Sequence, residues 1–443
     1  MNVSEVKRDW RKSPWAWIPS LYFAQGLPYV VVMTISVIMY KRMGISNTDI
    51  ALYTGWLYLP WVIKPFWSPF VDLLKTKRWW VVTMQFCIGA GLGGVALLLP
   101  GDLFFRSTLA VFWWMAFSSA THDIAADGFY MLALSERDQA YYVGIRSTFY
   151  RVATIAGQGL LVMLAGLLEK WMGTVAYAWS ITFFVLAGLF IGVALYHQAV
   201  LPSPGSDRAV RRTEGARSIF GAFAETFASF FRKKHIFPAL LFMLFYRFPE
   251  AQLVKMINPF LLDPVELGGL GLTTAEVGLV YGTVGIIGLT IGGIVGGICA
   301  AHGGLRRWLW PMAWSLSLTC LTFVYLAYFQ PQNIYIVHLC VFVEQFGYGF
   351  GFTAYMLYLI HFSEGEHKTA HYAICTAFMA LGMMLPGMAA GWLQERLGYA
   401  RFFDWVMFCC LFTIAVCAFV KIEPGGNGAT DGTTEIPSPE KEE

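Results

Sequence analysis

The sequence predicts an all-α membrane protein of twelve transmembrane helices in two six-helix halves. Three observations predict it: an apolar excess, one-sided basic residues and an internal repeat. Of 443 residues, 57% are hydrophobic and 13% are charged, where a soluble globular chain carries roughly a quarter. A spanning helix needs about 20 apolar residues, so the apolar content suffices for about twelve spans. This excludes a soluble enzyme, a disordered chain and a fibrous one. The formal charge of +3 is small and scattered, which argues against a nucleic-acid partner. The eight cysteines lie in apolar runs without a CxxC spacing, so neither a disulfide framework nor a metal site is expected. No phosphate-binding loop is present, so no ATP hydrolysis and no cofactor is expected.

Apolar stretches mark helices near 14–40, 51–73, 80–100, 108–134, 143–168 and 176–198, then near 236–262, 276–299, 308–329, 334–361, 370–393 and 403–421. The first is too long for a cleaved signal peptide and is read as a span. The expected divisions are a first half at 1–198, a linker at 199–235, a second half at 236–421 and a disordered tail at 422–443. The linker is basic, and Phe220, Phe223, Phe227 and Phe230 follow near-helical spacing within it, as in an interfacial amphipathic helix. With the N-terminus inside, 20 Lys and Arg fall in inner segments and 6 in outer loops. The positive-inside rule then places both termini in the cytoplasm.

The repeat joins the two halves. Residues 130–134 (Tyr-Met-Leu-Ala-Leu) return at 355–359 as Tyr-Met-Leu-Tyr-Leu, an offset of 225. The same offset relates 165–173 to 390–398, and an offset of 227 relates 49–55 to 276–282. Apolar helices resemble one another by composition, but three matches near one offset pair span two with eight, four with ten and five with eleven. Two parallel halves around a central site are similar to the major facilitator architecture, which alternates access by rocking.

Charge inside a span costs about 2.5–3.5 kcal/mol at mid-bilayer, so each such group faces protein or water and needs a partner. Five basic residues lie within spans: Lys64, Arg146, Arg151, Arg247 and Lys255. The clearest acids are Asp123, Asp127, Glu250 and Glu344, with Asp72 at the inner end of span two. At 1.5 Å per residue, Asp127 lies about 10 Å and Asp123 about 16 Å from the inner face. Their i, i+4 spacing puts both carboxylates on one helix face. Asp127 is expected to pair with Arg146 or Arg151, whereas Asp123, nearer the midplane, suits a proton or substrate site. Ser147, Arg151, Thr154 and Gln158 form one polar stripe, and His122 is expected to be a packed, hydrogen-bonded residue. Pro249, between Arg247 and Glu250, removes a backbone hydrogen bond and should open span seven. Glu344 is expected either to pair with Arg247 or Lys64 or to carry a proton. Asp72 and the following Lys75, Lys77 and Arg78 suggest a gating relay, beyond the anchoring that basic residues alone would provide. Tyr22, Tyr29, Trp56 and Trp114 occupy positions where a ring could stack on a sugar.

Several stretches resemble those of AmpG-type muropeptide permeases. They include Phe23-Ala24-Gln25-Gly26-Leu27-Pro28, Lys64-Pro65-Phe66-Trp67-Ser68-Pro69 and Ser119-Ala120-Thr121-His122-Asp123-Ile124-Ala125-Ala126-Asp127-Gly128. Residues 275–278, 342–345 and 389–392 add to the set, and the resemblance runs in order from about residue 20 to 420. It implies proton-driven import of anhydromuropeptides, recognised by N-acetylglucosamine and anhydro-N-acetylmuramic acid, through the inner membrane of a bacterium. It also implies a monomer whose partners are an amino-sugar solute, protons and the bilayer. By position, Lys64, Asp123, Asp127 and Glu344 match charged residues of the family's motifs, and Arg247 stands where a basic residue is common. On that footing Asp123 and Glu344 are the expected proton carriers. Lys64, Arg247, Glu250, Tyr22, Gln25, Trp56 and Tyr348 are the expected substrate contacts, and Asp72, Asp127, Arg146 and Arg151 the gating or ion-pair residues. Glu250 and Lys255 add charge that the resemblance does not explain, which leaves free N-acetylmuramic acid, another small sugar or an acetyl-coenzyme A-like solute as alternatives. An intramembrane enzyme would need a polar site in a long outer loop, which the chain lacks, and a channel would equilibrate its solute rather than accumulate it.

Overall fold

The computed structural model describes residues 13–205, 207, 216–365 and 368–420. The expected tail at 422–443 and the side chains of Phe220, Phe223 and Asp72 lie outside the described residues. Every regular element described is helical. Seven segments are long and apolar enough to cross a membrane by length and composition. Two of them, Thr274–Phe329 and Ala370–Phe419, each contain a non-helical glycine, Gly304 and Gly398, with φ of 68° and 72°, and so hold two rods apiece. A positive φ is open to glycine without a Cβ penalty, which is why the chain reverses there. Three further rods carry enough charge or a break to escape a hydropathy criterion: 47–74, Phe104–Ala133 and 236–262.

In chain order the rods are α1 Pro14–Arg42, α2 47–74, α3 Lys77–Leu98, α4 Phe104–Ala133, α5 136–172 and α6 Val175–Val200, then α7 236–262, α8 274–303, α9 305–329, α10 Ile334–Ser363, α11 368–397 and α12 399–419. This arrangement agrees with the twelve expected. A connecting helix, Ala216–Phe231, lies between α6 and α7, where the amphipathic helix is expected. Local chemistry starts and ends the rods. Ser46, Thr76 and Ser135 accept hydrogen bonds from the backbone N–H three residues on, and Thr273 with Glu276 forms a capping box at the start of α8, satisfying N–H groups that lack helical partners. Asp207 of the linker accepts from the N–H groups of Lys77 and Arg78 at 2.7 and 3.0 Å, tying the linker to the start of α3.

One membrane face carries both described chain ends; the opposite, far face seals the first six helices against the last six. Glycines make that seal. A Cβ on Gly282 of α8 would fall on the backbone of Gln158 in α5, and one on Gly278 would lie 2.9 Å from the Gly159 carbonyl oxygen. The Gly282 contact falls where both helices widen into π turns, Ala156–Leu161 in α5 and Val280–Gly285 in α8, and Gly278 lies just before the second of these. On the other side of the bundle a Cβ on Gly391 of α11 would meet the Asn47 backbone of α2. Small residues let helix backbones approach where lipid supplies no hydrophobic drive.

Polar latches complete the far face. Lys41 Nζ lies 2.7 Å from Asp263 Oδ1, and Tyr399 Oη donates to Asp263 Oδ2 at 2.6 Å. Asn47 Nδ2 donates to Gln394 Oε1 at 2.7 Å and to Tyr399 Oη at 2.9 Å. Thr48 donates to Glu395 through both its backbone N–H and its hydroxyl. Glu169 gathers Arg42 at 3.0 Å, Thr274 at 2.7 Å and Trp179 at 2.8 Å. Toward the other face the same helices leave a cavity. Replacing Gly282 with Ala should therefore prise α8 from α5. We expect a lower thermal midpoint and a fall in cross-linking between cysteines placed at Thr48 and Glu395 by a short bifunctional thiol reagent. Unchanged cross-linking would show that the glycine contact does not hold the seal.

Candidate functional site

The cavity measures about 560 Å³ and is lined by α1, α5, α8 and α10, a size within the roughly 300–1,000 Å³ of small-molecule sites. Tyr22 and Gln25 come from α1, Arg146, Ser147, Tyr150, Arg151 and Thr154 from α5, and Tyr348 and Phe352 from α10. The stripe expected on span five thus faces the cavity through Ser147, Arg151 and Thr154, while Gln158, deeper in the seal, donates to Thr34 at 3.3 Å. Tyr22 and Gln25 line the cavity, and their Oη and Oε1 atoms are buried without a hydrogen-bond partner among the described residues, so each is a polar atom left unsatisfied beside the cavity. Arg151 donates to Thr290 Oγ1 of α8 at 3.3 Å and forms no ion pair among the described residues. Of the expected substrate contacts, Tyr22, Gln25 and Tyr348 line the cavity.

Arg247 and Glu250 stand one residue layer behind it. The rod α7 breaks between Phe245 and Phe248, because Pro249 has no N–H to return to the Phe245 carbonyl. The Tyr246 carbonyl instead accepts a hydrogen bond from Thr413 at 2.8 Å. Arg247 sits at the break with φ of −103° and ψ of 14°. Its guanidinium binds Glu250 through Nε at 2.8 Å and Nη2 at 2.7 Å, and Nη2 also donates to Tyr348 Oη at 2.9 Å. The guanidinium carbon lies 4.7 Å from the centre of the Phe352 ring. Both charges are buried, and a two-pronged Arg–carboxylate pair is the geometry that best offsets their desolvation. Arg247 therefore reaches the cavity through Tyr348 and Phe352, both of which line it.

The first six helices carry two further pairs. Lys64 Nζ lies 3.8 Å from Asp123 Oδ2, which also accepts from Trp61 Nε1 at 3.1 Å. Arg146 Nη2 lies 3.0 Å from Asp127 Oδ1 and its guanidinium rests over Tyr22 and Tyr130 at 4.5 and 5.1 Å. The i, i+4 carboxylates of α4 thus point at separate cations, one on α2 and one on α5. Glu344 is buried and accepts from Gln345 at 2.8 Å. Neither Arg247 nor Lys64 reaches it, since each holds another carboxylate, so the expected pairing of Glu344 with one of these cations is not what the structure shows. Trp56 and Trp114 also depart from expectation. Trp56 is 41% exposed and shares a helix face with Tyr53, which packs edge-on against Phe105 of α4. Trp114 is likewise exposed. Neither is among the residues that line the cavity, whose wall comes from α1, α5, α8 and α10 rather than from α2 or α4.

His122 is packed and hydrogen-bonded, as expected, but its partners and that of Lys255 were not legible in the sequence. Ser20, His197, Gln85 and His122 form a buried chain across α1, α6, α3 and α4, with links of 2.9, 2.9 and 3.0 Å. Isolated polar residues in four separate apolar spans were the signal, but their meeting depends on the packing. Lys255 of α7 reaches across to Thr54 of α2 at 2.9 Å.

The sequence pattern of the BT1 family matches residues 24–257, and that of the Major Facilitator Superfamily matches residues 251–442. The anhydromuropeptide permease of Escherichia coli strain K12 is 25% identical over 402 residues, covering 86% of this chain and 74% of that protein. Among solved structures, a bacterial homolog of the human lysosomal transporter Spinster superposes with a TM-score of 0.70 at 15% identity, covering 92% of this chain and 96% of that one. A variant of the nucleoside transporter NupG gives 0.70 at 14% identity, covering 91% and 99%. These structural likenesses establish the fold.

Removing one partner of the Arg247–Glu250 pair should leave an uncompensated buried charge. Arg247→Met is expected to cost about 3–5 kcal/mol, and Arg247→Met with Glu250→Met to recover most of that loss. Denaturation of the purified protein in detergent reads both, and a double variant no more stable than the single one would refute the pairing energetics.

Proposed function

We propose, from the premise that the chain belongs to the BT1 family within the major facilitator superfamily, that it imports muropeptides or a closely related amino sugar together with protons. The fold and the family make the chain a multi-pass membrane transporter. The observation that carries the proposal is an amphipathic cavity with charge pairs at and behind its wall. A sugar offers apolar ring faces to Tyr22, Tyr150 and Phe352 and hydroxyl or amide groups to Tyr22 Oη, Gln25 Oε1 and Thr154, all at or beside one cavity. Arg151 and Arg146 supply positive charge there. The similarity to an anhydromuropeptide permease supports the same solute class.

In this reading both termini are cytoplasmic, as the basic residues indicate, so the sealed far face is periplasmic and the cavity opens inward. The division into halves at 1–198 and 236–421 supplies the two bodies that rock, and the latches at Asp263, Glu169 and Asn47 are those that part when the periplasmic side opens. Asp123 is the proposed proton carrier of the first half. Its partner Lys64 stands at 3.8 Å, a separation that leaves the carboxylate room to exchange the cation for a proton. Glu344 is the proposed carrier of the second half, held by the neutral Gln345. Arg146 with Asp127 is a gate at the cytoplasmic mouth, and Asp72 belongs to the relay at the inner end of α2. The protein acts as a monomer in the inner membrane of a bacterium, without cofactor and without enzymatic chemistry.

Proteoliposomes test this. Labelled anhydromuropeptide should accumulate when the lumen is made alkaline relative to the outside, and collapse of the gradient by a protonophore should abolish accumulation. Absence of uptake of every amino sugar tried would overturn the solute class. Asp123→Asn should lose gradient-driven accumulation while retaining exchange of labelled for unlabelled solute; equal loss of both would make Asp123 a structural or binding residue instead. Glu344→Gln should behave in the same way, and unchanged accumulation would remove Glu344 from coupling.

A further inference from the structure

Lys255 is a buried cation that none of the pairs described above uses. It lies on α7 two turns beyond the Arg247–Glu250 pair and is 4% exposed. From the end of α7 at Leu262, the rise per residue puts it about 10 Å beneath the far face. Its ammonium donates to the neutral hydroxyl of Thr54 at 2.9 Å and lies 5.5 Å from the centre of the Tyr58 ring. No carboxylate pairs with it among the described residues. The wall opposite is Gly387 of α11, where a Cβ would sit 3.2 Å from Lys255 Cγ. One turn further along α7, on the same face, Asn258 Oδ1 is buried without a hydrogen-bond partner among the described residues.

An ammonium held away from water by one hydroxyl and a ring face is under-compensated. Structural lysines in such places are matched by an acid, as Lys41 is matched by Asp263 in the same seal. Thr54 and Lys255 also belong to opposite sides of that seal, α2 and α7. When the far face opens, their contact breaks, and Lys255 becomes the positive group at the floor of the vestibule that forms there. We infer that Lys255 is the binding residue for an anionic group of the solute, a carboxylate, in the state open to the far face, and that Thr54 takes its place on the ammonium once the solute has moved on. The inference rests on the proposed amino-sugar import and adds to it the residue that receives the solute's charge on the entry side. Arg151 and Arg146, at the other end of the path, offer charge only in the state described above.

The exchange has a functional consequence. A solute carboxylate offsets the ammonium's charge in the far-open state, and Thr54 holds the ammonium afterwards without competing in charge. A neutral sugar gains nothing from Lys255, so the residue discriminates between solutes that differ only by a carboxylate.

Purified protein in proteoliposomes, oriented with the far face outward, tests this with N-acetylmuramic acid and N-acetylglucosamine, of which the first carries an added lactyl ether that ends in a carboxylate. Lys255→Gln is expected to raise the KM for N-acetylmuramic acid by about tenfold, the scale of one lost charged contact, with kcat little changed and with N-acetylglucosamine transport or competition unaltered. Lys255→Arg should retain most of the preference. Equal effects on both sugars, or none on either, would overturn the inference and leave Lys255 as part of the seal.

If the wild-type protein takes up neither sugar, the proposed solute class fails, and the inference is then decided without a solute. Lys255→Cys is treated from the far side with the anionic, membrane-impermeant sulfonatoethyl methanethiosulfonate, against the background of the native thiols. Labelling should be about tenfold faster when Asp263→Ala breaks the latch, since anions then reach position 255. Labelling that does not respond to the latch would show that this position never faces the far side, and the inference falls.

Discussion

The structure depends on one constraint: charge carried into the membrane must find a partner there. Each pair across the helices fixes a relation that apolar packing leaves open. Arg247 with Glu250 holds the broken segment of α7 and hands one N–H to Tyr348 of α10. Lys64 with Asp123 joins α2 to α4, and Arg146 with Asp127 joins α5 to α4. The cavity lies among these pairs, so the groups that lock the bundle also set the polarity of its wall.

Close backbone approach is the complement of that constraint. Where α5 meets α8 and α2 meets α11, glycines replace side chains, and at the first of these contacts π turns widen both helices. The far face is therefore sealed by main chain against main chain, with a rim of hydrogen bonds and two ion pairs above it. Such a seal is made of many modest contacts, which suits the proposed opening of that face as a unit. Toward the opposite face α1 and α5 stand off from α8 and α10, and the cavity lies between them.

The charged residues of the candidate site could be read from the sequence, but their pairings could not. An acid or base in an apolar span is conspicuous, so Asp123, Asp127, Arg247, Glu250 and Glu344 were visible as residues. Pro249 announced the break in α7. The sequence equally admitted Arg247 or Lys64 as a partner for Glu344, since pairing is a matter of helix rotation and of which neighbours pack together. Trp56 shows the same limit: its position along α2 was readable, its facing was not. The Ser20–His197–Gln85–His122 chain has members up to 177 residues apart, and no local pattern joins them.

By itself, the sequence determined the class of protein, the approximate positions of its rods and the sidedness expected of its loops. These follow from transfer energies, which are additive along a chain and need no knowledge of neighbours. Tertiary structure alone decided which face is sealed, which residues line the cavity and which cation each carboxylate holds. Those depend on rotations of helices about their axes and on contacts between segments far apart in sequence. Lys255 brings the two together: composition marked it as a costly charge in the membrane, and only the packing showed that its neighbour is a hydroxyl rather than an acid.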